Sequence, residues 1–487
     1  MGMIRGDEYR DSLRRVKPEI YYMGEKIESV ADHPAFIPHV NAAALTYEMA
    51  WAPEFEELLT TKSHLTGEKI NFFTHVHHSC DDLVRKVKAL RALGQQTGSC
   101  FARCVGHDAL NAVYSVTYDM DQKNGTEYHQ RFVNLLKEVQ AKDLFISGAM
   151  TDPKGDRSLS PSEQSDPDQY VHVVEKKQDG IVVRGAKVHI TGAVNAFGHL
   201  VMPTTSMKEA DTDFAICFYV PVDAPGVIHV FGRQTNDERK CGSCLIDQGN
   251  PEYGIVGGEA LVILDDVFIP WENVFMCGEY DFVFELVERF ATAHRQNYGG
   301  CKVGLSDALI GATYALSEVQ GTVKASHIRD KLVEMVHLAE TLYCCSIACS
   351  CQGYRMPAGN FMADPLLANV TKLNVTRNIY EIARLAQDIA GGLLATMPSE
   401  MDWQNTRVGK YVDKYIKAVA DVPAETRMRL LRLIEGMTCG TALAESMHGA
   451  GSPQAQKIMI MRRSNWERKK RLAQKLAKIG EQPRLVC

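Results

Sequence analysis

The rhythm of apolar and polar positions changes twice along this chain. Through about residue 145 the apolar positions recur at helical spacing. Residues 81–90 show the pattern clearly, with Asp81 and Asp82 as acids for a first turn, and residues 128–144 repeat it. Gly98, just ahead of Cys100, predicts a new helix over 100–113. From about Asp152 the texture turns to strands. Residues 170–174 and 181–190 are β-rich, and Asp179-Gly180 between them is a hairpin signal. Residues 214–220, 226–231 and 260–269 continue the strand pattern, which suggests a small antiparallel barrel or sandwich. From Tyr280 the helical period returns, with Phe282, Val283, Leu286, Val287 and Phe290 on one stripe. Long amphipathic stretches over 303–351 and 364–389 read as a helix bundle. The expected organisation is α+β but mainly α, in three parts: helical 1–145, β-rich 146–278 and helical 279–487. The basic segment 462–478 reads as a solvated helix face or a subunit contact.

Composition narrows the class without naming it. Apolar residues are 45% and charged residues 23% of 487, an ordinary globular balance. A net charge of −6 gives no reason to expect nucleic acid as a partner. No apolar run is expected to cross a bilayer, and residues 1–15 lack the apolar stretch of a secretory signal, so a cytoplasmic protein is expected. In a reducing compartment the 14 cysteines suggest ligands, buried thiols or redox chemistry rather than disulfides. Cys344, Cys345, Cys349 and Cys351 crowd an apolar stretch and are expected to act as small hydrophobes, and Cys487 to lie in a terminal tail.

Two short motifs, far apart in the chain, carry the clearest chemistry. Cys100 and Cys104 stand four residues apart, which on a helix would aim both sulfurs one way. His294 and Cys301 stand seven apart, roughly 10 Å along an unbroken helix. One small ion could bridge that distance only if the backbone bent, and Gly299 and Gly300 are where it could bend. Three thiols and an imidazole suit zinc or an iron–sulfur cluster, and donors on helices of distant segments favour a cofactor held between domains. Cys241-Gly242-Ser243-Cys244 has no second pair to complete a zinc site and reads as a loop.

Three further stretches offer polar groups. Met150, Thr151, Asp152, Pro153, Gly155, Asp156 and Arg157 form a tight loop that is either a surface turn or a bed for the edge of a planar cofactor. Gln387, Gly391 and Gly392 end a long helix, as a C-cap or as a place for a phosphate or adenine to approach. Glu445 stands with His448 in a glycine-rich stretch, and Glu259 follows Gly257-Gly258 at the start of an apolar strand.

The Cys-x₃-Cys pair, His-Arg-Gln-Asn-Tyr-Gly-Gly-Cys-Lys from 294 to 302 and Glu-Ser-Met-His-Gly-Ala-Gly-Ser-Pro from 445 to 453 resemble the 4-hydroxybutyryl-CoA dehydratase family over nearly the whole chain. More widely, the chain resembles flavin-dependent 4-hydroxyphenylacetate hydroxylases and the acyl-CoA dehydrogenase fold. The resemblance implies an N-terminal helical domain, a middle antiparallel β-barrel, a C-terminal four-helix bundle and a homotetramer. It implies Cys100, Cys104, His294 and Cys301 as ligands of a [4Fe–4S] cluster. It implies FAD contacts from the 150–157 loop, from His189, Ile190 and Thr191, and from Gln387, Gly391 and Gly392. Thr191, Glu259, His294, Tyr298, Lys302 and Glu445 would line the active site. The implied activity is dehydration of the CoA thioester 4-hydroxybutyryl-CoA to crotonyl-CoA in anaerobic fermentation, with isomerisation of vinylacetyl-CoA as a second activity. The cluster would act as a Lewis acid and the flavin as a reversible electron acceptor. A flavin monooxygenase of the hydroxylase type is the alternative, and a zinc-stabilised scaffold without catalysis is a third.

Overall fold

The computed structural model describes residues 2–233, 244–255 and 257–479. Cys241, Gly242 and Ser243 of the C-x₂-C stretch, and Cys487, lie outside the described residues.

The helices that carry or pack on the candidate residues are α1 (Cys80–Thr97), α2 (Cys104–Asn124), α3 (Val283–Val319), α4 (Ser326–Cys351), α5 (Pro365–Ala390), α6 (Ala424–Thr438), α7 (Thr441–His448) and α8 (Pro453–Arg463). Ser79 caps α1 in a reciprocal capping box with Asp82, and Gly98 ends it in the left-handed conformation. The expected helix over 100–113 begins later, at Cys104. Ala102 takes φ +61°, so Cys100 to Arg103 form a loop and not a first helical turn. The stretch 303–351 also divides into α3 and α4, with Gly321 at φ +72° between them.

Apart from two short two-stranded pairs, Thr60–Lys62 with Lys69–Asn71 and Tyr354–Arg355 with Phe361–Met362, the strands are β1 (Glu19–Tyr22), β2 (Glu25–Lys26), β3 (Ile146–Ala149), β4 (His172–Lys176), β5 (Gly180–Thr191), β6 (Gly198–Val201), β7 (Ile216–Pro221), β8 (Val227–Phe231), β9 (Glu259–Pro270) and β10 (Val274–Cys277). The expected hairpin is present: β4 pairs antiparallel with β5, and Lys177 N–H donates to Gly180 C=O at 2.8 Å. The strands form two open sheets, ordered β2-β1-β8-β9-β5-β4 and β10-β7-β6-β3, and not the closed barrel expected. Among the described residues the smaller sheet closes no ring, because β3 pairs only with β6, in parallel. The N-terminal segment joins the larger sheet, with β1 parallel to β8.

One apolar core runs beneath the sheets and another joins α1, α2 and the start of α3 to the smaller sheet. A third fills the space among α3, α4, α5 and α6. On length and composition alone α4 could cross a membrane, contrary to expectation, yet it packs against α3 and α5. Of its cysteines, Cys349 is buried, Cys345 half-buried, and Cys344 and Cys351 exposed, so only part of that group serves as core.

Candidate functional site: a thiol and imidazole centre between the helical parts

Gly299 and Gly300 do not bend α3, which runs unbroken through both. They let neighbouring helices close on it. A Cβ on Gly300 would lie 2.6 Å from the Val87 carbonyl of α1, and one on Gly299 would lie 2.3 Å from the Ser346 Cβ of α4. His294 and Cys301 therefore stay two turns apart on one rod. Against that rod, α1 delivers the loop with Cys100, and α2 delivers Cys104.

Two of the thiols act electrostatically on the third. Burial raises Cys104 well above the ordinary thiol range, and its neighbours Cys100 and Cys301 raise it further. Burial pushes Cys100 up to about 12, with Glu445 adding to the effect. Burial pushes Cys301 up to about 11, against an opposing influence from Lys302. A thiol in such surroundings gives up its proton readily only to a cationic metal centre. His294 is the fourth donor expected from the sequence. Its Nδ1 lies 2.8 Å from Asp108 Oδ2, which fixes the ring and turns Nε2 away from that bond. Asp108 is fully buried and receives Lys86 Nζ at 2.9 Å on its other oxygen, and the Asn297 amide as well. Burial acting alone would raise the Asp108 carboxyl, but Lys86 and His294 outweigh it and lower it. Beside the loop, Ser99 Oγ is buried and has no hydrogen-bond partner. The donor chemistry and the tethered imidazole fit a thiolate-ligated group. Among the described residues, no three His, Cys, Asp or Glu side chains are grouped to hold a metal ion.

The other active-site candidates adjoin this centre. Lys302 forms an ion pair with Glu445. Burial pulls the Lys302 ammonium down, but Glu445 and the thiols outweigh it and the net shift is upward. Thr191 and Glu259 are cross-strand partners of β5 and β9, with Thr191 Oγ1 3.5 Å from Glu259 Oε1. A Cβ on Gly257 would lie 3.0 Å from Thr191 Cγ2 and 3.1 Å from Cys100 Sγ, so the β9 entrance abuts the cysteine loop. Tyr298 meets the His294 ring edge-on with centroids 5.6 Å apart. Burial, Glu445 and the thiols raise its phenol well above the ordinary value, so it stays protonated.

The 150–157 loop leaves the smaller sheet at β3. Lys187 of β5 anchors it from below by pairing with Asp152 and donating to the Met150 and Met202 carbonyls at 3.1 and 2.8 Å. Val188 N–H donates to Thr151 C=O at 2.8 Å. Gly155, Asp156 and Arg157 form the exposed tip, with Gly155 at φ +45° and its Cα packed on Gln164. Asp152 Oδ2 is buried with no hydrogen-bond partner. His189, exposed and at φ +58°, faces Lys154 and His448. Thus the loop, the end of β5 and the end of α7 border one region. Pro153 and Ile190 belong to the same stretch, half-buried and buried. The α5 end is placed apart. Gln387 donates to the Thr438 carbonyl at 3.0 Å, Gly391 and Gly392 have open space around them, and among the described residues no hydrogen bond, ion pair or ring contact links them to the loop.

Sequence reasoning missed Asp108, Lys86, Asn297, Arg295 and Lys372. Spacing could have found two of them. Asp108 is four residues beyond Cys104, and Asn297 three beyond His294, each on its neighbour's helix face. Lys86 and Lys372 could have been suspected as cations inside apolar stripes.

The description "4-hydroxyphenylacetate 3-hydroxylase N terminal" matches residues 5–276, and its C-terminal counterpart matches residues 283–478. The chain is 52% identical to the 4-hydroxybutyryl-CoA dehydratase/vinylacetyl-CoA-Δ-isomerase of Clostridium aminobutyricum, over 98% of this chain and 100% of that one. A solved oxygen-tolerant archaeal 4-hydroxybutyryl-CoA dehydratase from N. maritimus superposes with a TM-score of 0.96 at 49% identity, covering 99% of this chain and 96% of that one. The oxygenase component of 4-hydroxyphenylacetate 3-monooxygenase, solved with FAD, superposes with a TM-score of 0.85 at 23% identity over 98% of each chain, a likeness of fold.

Proposed function

Because the chain belongs to the 4-hydroxyphenylacetate 3-hydroxylase family and, within it, to the 4-hydroxybutyryl-CoA dehydratases, we propose that it converts 4-hydroxybutyryl-CoA to crotonyl-CoA and isomerises vinylacetyl-CoA to the same product. The observation that supports this reading is that Cys100, Cys301 and Asp108 all act on the buried Cys104 thiol, with Asp108 tethering His294, in a region that also holds the Lys302–Glu445 and Thr191–Glu259 pairs. An aromatic monooxygenase has no use for such a centre.

In this reading the quartet holds a [4Fe–4S] cluster, whose several metal atoms suit ligands two helical turns apart better than a single ion does. FAD lies along the 150–157 loop and the end of β5, where the unpartnered Asp152 oxygen and the exposed His189 support its placement. When bound, the flavin supplies reversible electron transfer and the cluster a Lewis acid for the leaving hydroxyl. The chain's own groups handle the protons. The C2 hydrogen of the thioester is acidic, because the carbonyl stabilises the carbanion. Nε2 of His294, the ring nitrogen that Asp108 leaves unengaged, would be the cluster donor at rest; once the substrate oxygen takes its place, the freed nitrogen would accept this proton, and Asp108 would steady the resulting imidazolium through Nδ1. The protonated Tyr298 phenol donates a hydrogen bond to the departing oxygen. Glu445, held by Lys302, is the second carboxylate available for proton transfer at C3. The Thr191 hydroxyl bonds the flavin ring. The finer assembly also belongs to this proposal: a C-terminal four-helix bundle and a homotetramer, in which Gln387, Gly391 and Gly392 reach the flavin of another copy.

The test is anaerobic purification followed by iron, sulfide and flavin analysis and product chromatography. FAD, a broad absorbance shoulder at roughly 400 nm and crotonyl-CoA from 4-hydroxybutyryl-CoA are expected. Flavin without iron, together with hydroxylation of a phenol, would overturn the reading in favour of a monooxygenase.

A further inference from the structure

Two cations buried behind the site, Lys372 and Arg295, are in no ion pair among the described residues. Lys372 lies in the middle of α5 and is 0% exposed. Its Nζ donates to the Ser446 carbonyl at 2.7 Å and the Met447 carbonyl at 3.1 Å, at the C-terminal end of α7. It also stands 4.3 Å from the centroid of the Tyr298 ring. The last carbonyls of a helix lack partners within it and carry partial negative charge, so an ammonium with three donors suits them. Arg295 grips the next turn, donating from Nε to the Ala450 carbonyl at 3.0 Å and from its NH1 nitrogen to Asn369 Oδ1 at 2.7 Å.

That turn needs holding. Ala450 and Gly451 sit at φ +58° and +93°, which an alanine adopts only under constraint. Gly449 lies so close to Tyr298 that a Cβ there would come within 1.9 Å of the phenol oxygen. Glu445 is on the last turn of the clamped helix, with its carboxylate on Lys302. A shift of the α7 end would thus move the carboxylate and the phenol's packing surface together.

We propose that Lys372 is a positioning residue: its ammonium clamps the carbonyl end of α7 and packs on the Tyr298 ring, fixing the Glu445 carboxylate and the Tyr298 hydroxyl relative to each other. The lysine needs no contact with substrate to do this. An apolar side chain in its place leaves two buried carbonyls unpaired. The kinetic part of the inference rests on the dehydratase reading, whereas the structural part does not.

The experiment uses anaerobically purified holoenzyme carrying Lys372→Met or Lys372→Gln. Glutamine keeps hydrogen-bond donors without the charge, and it carries the test if the methionine variant does not fold. Hydrogen–deuterium exchange of residues 441–451 should accelerate about tenfold in Lys372→Met and less in Lys372→Gln, with α4 unchanged. Iron and FAD content should be retained. kcat for dehydration should fall about 100-fold, with KM within about threefold of wild type, the signature of misplaced catalytic groups. Unchanged exchange at 441–451 in the folded variants overturns the clamp. A rise in KM alone also overturns it and makes Lys372 a substrate contact. Failure of the wild type to dehydrate would sink the functional reading, but the exchange measurement would still decide the clamp.

Discussion

The thiol centre and the 150–157 loop, where the flavin is proposed to lie, are built in opposite ways. At the thiol centre each charged group is answered within the chain. Asp108 is shared by His294, Lys86 and Asn297, and Glu445 is met by Lys302. The loop at 150–157 is anchored from below by Lys187, but its tip is exposed, one Asp152 oxygen is unanswered, and the α5 end expected to share its ligand packs elsewhere. Buried charge is costly unless paired, so a centre of thiols must be completed within the core. An exposed loop tip carries no such constraint. The thiol centre should therefore respond sharply to single substitutions, and the loop should respond by degrees.

The largest break is expected at Cys104. It is the least exposed thiol of the three, and both others act on it. Cys104→Ala should remove most iron and sulfide and lower dehydration by more than about 1000-fold, while FAD is retained. Metal analysis beside flavin fluorescence checks this. Full iron content with turnover would remove Cys104 from the ligand set.

The same contrast shows what could be read from the chain. Strands 181–190 and 260–269 and the helix over 81–90 were legible because period and turn residues are local. The four proposed ligands could be singled out in the sequence because their residue types are rare together, and their role as a set remains part of the proposal. The roles of Gly299 and Gly300 were not, because their neighbours are Leu342, Ser346 and Val87, and packing between helices has no local signal. The loop form of Cys100 was hidden for a similar reason. Its geometry depends on Ala102 at positive φ, which only the surrounding core enforces. The barrel expectation failed because alternation reports strands and not how sheets close.

A smaller break is expected one step outward, at Asp108. Asp108→Asn keeps the shape but removes the charge opposite His294 and leaves Lys86 buried without its counter-ion. Activity should fall about 10- to 100-fold, with partial iron loss. Retention of both at wild-type level would mean that His294 is oriented by something else. On the other side of the comparison, Thr191→Val should leave iron intact and shift the flavin reduction potential or weaken FAD retention by about tenfold or less. Unchanged potential and flavin content would place Thr191 away from the ring.

The smallest effect is a graded one, set by pH. Beneath the flavin loop, His199 and His229 join the two sheets, with Nε2 to Nε2 at 2.8 Å. Ser147 of β3 lies 2.6 Å from His199 Nδ1, and His229 Nδ1 lies 3.2 Å from the Glu19 carbonyl. All three contacts are satisfied with both rings neutral: His229 donates to the Glu19 carbonyl, His199 donates to His229, and Ser147 donates to His199. Burial lowers His229 to about 4 and His199 well below its usual value, the latter with help from His229. The folded state therefore binds fewer protons than the unfolded chain between about pH 4 and 6.5. Stability is highest above that window and falls as pH drops through it, by up to about 3 kcal/mol for His229. The helical side has its own acid-sensitive rings, His77 and His107, the latter lowered to about 3 by burial and Lys86. Acid thus weakens both regions, and wild type alone cannot separate them. His229→Gln removes the His229 share of the sheet-side contribution and leaves the helical side untouched. It should lower stability at neutral pH, flatten the loss of stability between pH 6.5 and 4, and shift acid release of FAD to lower pH without moving the release of iron. Denaturant melts across that range, read with flavin fluorescence and iron absorbance, test it. An unchanged slope would mean that the histidine pair does not couple protonation to the sheets that carry the loop.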